Sequence, residues 1–67
     1  MLKMRTESRL FLEKNLPEAL RAETINGALD FLYDLIDEKG FAPPHYDEYN
    51  RFGREAQRVY DDLYLSN

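Results

Sequence analysis

Asp30, Asp34 and Glu38 recur every fourth residue, with Asp37 beside them and no basic residue between them. On a helix these carboxylates share one face. Like charges at that spacing cost about 0.2–0.5 kcal/mol per pair, a small penalty that invites a reason. Three kinds of chemistry fit: a solvated face (bare, or satisfied by arginines of the last helix), a docking surface for a basic partner, or a carboxylate metal site. A metal site needs ligands that converge from several elements. The chain has one histidine, no cysteine and no Glu-x-x-His pair. No metal and no cofactor is therefore expected, and a basic protein partner is the functional candidate for this face.

A second charged set has the opposite sign. Arg51, Arg54 and Arg58 share a side of the last predicted helix, with Asn50 and Gln57 at its edge. Arginine, asparagine and glutamine are the side chains that read base edges in the major groove. The same side, however, carries Asp47, Glu55, Asp61 and Asp62. The pairs Asp47–Arg51, Arg51–Glu55 and Arg58–Asp62 stand four apart, the pattern of a surface ion-pair ladder. Arg54 has no acidic neighbour three or four residues away, so it is the arginine expected to reach another helix, a partner or a phosphate. The net charge of −4 and pI near 4.8 oppose binding to a polyanion, because affinity for a duplex rests largely on phosphate neutralisation. Nucleic acid is disfavoured, and a small DNA-binding regulator is the alternative.

Aromatic residues form the third set. Tyr33, Tyr46, Tyr49, Tyr60 and Tyr64 join Phe31, Phe41 and Phe52 in a chain of 67 residues. Tyrosine suits interfaces because its body is apolar and its tip polar. Phe31, Leu35, Tyr49, Tyr60 and Tyr64 are the candidate dimer contacts. Catalytic groups are sparse by comparison. His45 follows Pro43-Pro44, the only serines are Ser8 and Ser66, and no glycine-rich phosphate loop is present. A nucleophile–base pair has no convincing nucleophile, so no enzyme is expected.

The elements that must position these groups are helical. Ile25, Ala28, Leu29, Phe31, Leu32, Leu35 and Ile36 wind around a broad side of a helix over 24–39, opposite the acids. Such an arc is wider than one neighbouring helix covers. Gly40 and Phe41 read as a left-handed C-terminal stop, with Phe41 packing back on Ile36. A last helix over 46–64 places Tyr49, Phe52, Ala56, Val59 and Leu63 on a seam of alternating threes and fours. Upstream, Thr6 or Ser8 could cap a first helix bearing Leu10, Phe11 and Leu12. Asn15 with Glu18, and Pro17 between them, suggest a fresh start. The apolar phase then shifts near Glu23-Thr24. Either the chain bends there with Thr24 as a new cap, or one helix is buried on different sides along its length.

The sequence thus predicts an all-α domain of three principal helices, with a break over 15–24 that would make four. Its centre is an antiparallel hairpin, 24–39 against 46–64. Residues 1–22 carry a net +2 and residues 23–67 a net −6. No stretch is apolar over the roughly 20 residues a membrane span needs, and the start has no apolar core of a secretory signal. A cytoplasmic location is the default expectation. A core this small is marginal on its own, and without cysteine or metal the remaining support is association. The expected function is a noncatalytic interaction or regulatory module, a homodimer formed through helices.

Overall fold

Thr24 decides how the middle of the chain folds. Its backbone is extended and its hydroxyl accepts the Gly27 N–H at 3.1 Å, a side-chain cap that starts a new helix. The chain therefore bends at Glu23-Thr24. A computed structural model describes residues 3–41 and 48–67 and contains four helices. They are α1 (Thr6–Asn15), α2 (Pro17–Leu20), α3 (Ile25–Lys39) and α4 (Arg51–Ser66). The fold is all-α. Among the described residues the only extended pairing is an isolated antiparallel bridge, Phe41 to Tyr49.

The turn between α1 and α2 is made by Leu16, at φ −155° and ψ 63°, with Pro17 opening α2. The expected Asn15/Glu18 capping box does not form. Asn15 is still the last residue of α1, and its amide donates back to the Phe11 carbonyl at 3.0 Å. Leu16 takes the cap position instead, because its buried side chain fixes where the chain turns.

The joint between α3 and α4 is built on Asn50. Its Oδ1 accepts the Gly53 N–H at 2.7 Å and so caps α4. Its Nδ2 donates to the Lys39 carbonyl at 2.8 Å, which satisfies the end of α3. Its own N–H donates to the Gly40 carbonyl at 2.9 Å. One side chain thus serves two helix termini, each of which otherwise leaves backbone groups unpaired. The last helix consequently begins at Arg51 rather than Tyr46. Tyr49 precedes it and stacks on Phe41, with ring centroids 5.1 Å apart. His45, Tyr46, Asp47 and Pro43-Pro44 lie outside the described residues. Gly40 differs from expectation as well: it sits at φ −90° and ψ −3°, on the right-handed side. A Cβ on Gly40 would lie 2.6 Å from the Ile36 carbonyl oxygen, so the position is small for its own reason. Gly53 is small because it approaches Gly40: a Cβ on Gly53 would lie 2.8 Å from the Gly40 carbonyl carbon and 2.9 Å from its Cα.

The two roles of Asn50 are separable. Asn50→Asp keeps the acceptor for Gly53 and loses the donor to Lys39, while Asn50→Ala loses both. Asn50→Ala is expected to lower stability by about 1–2 kcal/mol and Asn50→Asp by roughly half as much. Urea titrations of the two variants check this, and equal losses would mean that the Gly53 cap contributes nothing beyond the Lys39 contact.

The core gathers Leu12, Leu16, Ala19, Ala28, Leu29, Leu32, Leu35, Val59 and Leu63. α4 packs on both α3 and α1, and α2 links α1 to α3. Phe11 and Phe52 close one side, their centroids 5.4 Å apart. The C-terminal end of α3 meets the N-terminal end of α4, as an antiparallel hairpin requires. Phe31 is the exception on the broad apolar side of α3: it remains 42% exposed. Its neighbours α2 and α4 cover the arc from Leu35 to Leu29 and stop short of it.

Candidate interaction surfaces

α3 sends its apolar arc inward, so its outer side is left to Asp30, Asp34, Asp37 and Glu38. All four are exposed. Advancing 100° per residue, they form one stripe, with Phe31 on one shoulder and Tyr33 on the other. Tyr33 is 64% exposed. No arginine covers the stripe. Among the described residues the one ion pair within 4.0 Å is Arg5–Asp62. The carboxylates stand along a single helix instead of converging, and no three metal-ligating side chains meet among the described residues.

α4 presents the complementary charge. Arg51, Arg54 and Arg58 are exposed on its outer side, and Leu65, two turns beyond Arg58, is 82% exposed. The expected ladder along α4 is absent. Arg51–Glu55 and Arg58–Asp62 do not pair, and Asp47 lies outside the described residues. For Arg58–Asp62 the reason is competition from the donors that Asp62 accepts. Asp61 accepts the Gln57 amide at 3.0 Å, and Gln57 in turn accepts the Tyr49 hydroxyl at 3.2 Å. Asp62 is turned toward α1. Arg54 is therefore not alone: among the described residues all three arginines are without acidic partners.

Asp62 ties the two ends of the chain together. Its Oδ2 accepts the Arg5 N–H at 2.8 Å and the Ser8 hydroxyl at 2.7 Å, and its Oδ1 accepts the Ser66 hydroxyl at 3.1 Å. This is the contact that a glutamate inside the first turn would make in a capping box, delivered here from another helix. Neither Thr6 nor Ser8 acts as the cap of α1. Arg5 occupies that position without a side-chain bond. The donated bonds from Ser8 and Arg5 hold the Asp62 carboxyl below its ordinary value, against the opposing effect of burial. Beyond it, the Asn67 side chain exchanges two hydrogen bonds with the Lys3 backbone, at 3.0 and 2.8 Å.

No protein-family model, curated protein or solved structure matches this chain.

The remaining candidates divide by burial. Leu35 is 8% exposed and belongs to the protein's own core, so it offers no surface to a second chain. Tyr60 is half-buried and packs against the core. Tyr49 and Tyr64 are exposed. An open groove between α1 and α4 adds Leu10, which is exposed. Lys3, Arg5, Lys14 and Arg58 in that groove are matched by Glu7, Glu55, Asp61 and Asp62, so it has no preference of sign. Leu65 escaped the sequence analysis, although its place two turns past Arg58 already puts it on the arginine side. No described helix is long and apolar enough to cross a membrane.

Proposed function

We propose that this protein is a noncatalytic interaction module that self-associates and acts by occupying a surface, with the outer face of α3 as its contact. The observation behind this is the exposed acidic stripe with aromatic shoulders, which has no ionic partner among the described residues. Four exposed carboxylates on one helix repel one another, and a partner that brings positive charge relieves that repulsion. Phe31 and Tyr33 supply the apolar area that charge alone lacks, since exposed ion pairs are worth only about 0–1 kcal/mol each.

Light scattering on a sizing column, over a range of protein concentration, tests the proposal. Mass should rise above that of one chain, 8.0 kDa, and fall back for Asp34→Lys with Glu38→Lys. A protein that stays monomeric at every concentration would remove the self-association, and a double variant that still associates would remove the acidic face from it. The three exposed arginines of α4 favour DNA as a second reading. In that case Arg54→Glu abolishes binding to a duplex while the α3 variant leaves it intact.

A further inference from the structure

The acidic stripe and the arginine row belong to one chain, and their spacings are related. On α3, Asp30, Asp34 and Asp37 step by four and then by three. On α4, Arg51, Arg54 and Arg58 step by three and then by four. Read in reverse, the arginines repeat the acid spacing. At 1.5 Å of rise per residue the steps are about 6 and 4.5 Å in both rows. Two antiparallel helices laid face to face therefore put Asp30 opposite Arg58, Asp34 opposite Arg54 and Asp37 opposite Arg51. Within one molecule these pairs do not form, because α3 and α4 contact each other through their inner faces. Both rows are exposed and neither has an ionic partner among the described residues.

We infer that the outer face of α3 docks on the outer face of α4 of a second copy of this chain, antiparallel, through that three-rung ladder. The inference rests on the interaction role proposed above and names its partner. A generic basic protein would need to supply the complement, whereas this chain already carries it in matching order. Phe31 and Tyr33 flank the acid row and are exposed, and an aromatic ring beside an incoming guanidinium group is favourable. A contact built mainly of exposed ion pairs is weak and yields to salt, since screening at about 0.5 M acts within a few ångström.

Charge exchange tests this directly. Asp34→Arg makes both rows basic at the middle rung, and Arg54→Asp makes both acidic. Each variant alone should lose association by about tenfold or more relative to wild type in light scattering at low salt, because like charges face each other. An equimolar mixture of the two should recover it, since every middle rung then pairs Arg with Asp. The double variant on one chain should recover it too. Both positions are exposed, and circular dichroism on each variant reports that the helices persist. Association that ignores the single variants, or loss that mixing does not repair, overturns the ladder while leaving self-association in place. A wild-type protein that never associates overturns both.

Discussion

Gly53→Ala is expected to destabilise this protein by about 3 kcal/mol, although alanine is the better helix former. Exchanging glycine for alanine inside a helix ordinarily gains about 1 kcal/mol. Here the new methyl group would meet backbone. It would sit 2.8 Å from the Gly40 carbonyl carbon and 2.9 Å from the Gly40 Cα, closer than real contacts allow. Nothing at that spot can rotate aside. Relief requires α4 to move away from the end of α3, and that strains the Asn50 bonds to Lys39 and Gly53. Overpacking of this kind costs about 1–3 kcal/mol, occasionally more. A domain of this size has on the order of 3–10 kcal/mol in all. Gly53→Ala should therefore remove a large share of that stability, visible in a urea titration as a midpoint lowered by roughly 1–3 M. Gly27→Ala is the comparison: its nearest neighbour is the Thr24 hydroxyl at 3.3 Å, a side-chain atom that needs to give only a few tenths of an ångström. Its effect should stay within about 1 kcal/mol in either direction. Equal stability of the two variants would refute the close approach of α4 to Gly40.

Asp62→Ala should have the next largest effect, a loss of about 2–3 kcal/mol at neutral pH. The carboxylate accepts from the Arg5 backbone, the Ser8 hydroxyl and the Ser66 hydroxyl. Ser8 is buried, so removal of the acceptor strands its hydroxyl away from water. Hydrogen bonds to a charged group are worth about 1.5–3 kcal/mol. The Arg5 guanidinium adds little, since it stands 3.9 Å away on a side chain that is 79% exposed. The folded carboxyl titrates below its unfolded value. Its stabilisation is thus fully present above the unfolded value of about 3.9. It fades as pH falls from there through the lower folded value. Thermal melts of wild type and Asp62→Asn should differ most near pH 7 and converge toward pH 2. A gap that is constant across that range would mean the charge on Asp62 is immaterial.

What could be read from the sequence was local. Thr24 is a cap because the residues that prove it are its immediate successors. The inward positions of α3 and α4 follow from period alone. Missed features depend on distances between helices. Helical phase treats each helix as a cylinder and says nothing about how near another axis comes, so Gly53 passed as an ordinary position on α4. Asn50 was legible as a polar edge residue but not as a double cap, because its second partner, Lys39, lies across the joint. Asp62 had a plausible mate four residues away in Arg58. It was claimed instead by Arg5 and Ser8, more than fifty positions upstream in the chain. The acidic stripe itself was fully visible. That no arginine covers it required the placement of α4.

The two hydrogen bonds between Lys3 and the Asn67 side chain have a consequence for architecture. They clasp the approach to α1 against the residue that caps the end of α4, next to the bonds that Asp62 makes to Arg5 and Ser8. Tension applied between Lys3 and Asn67 would load the amide clasp first and Asp62 second, parting α1 from α4 before the joint at Asn50 is touched.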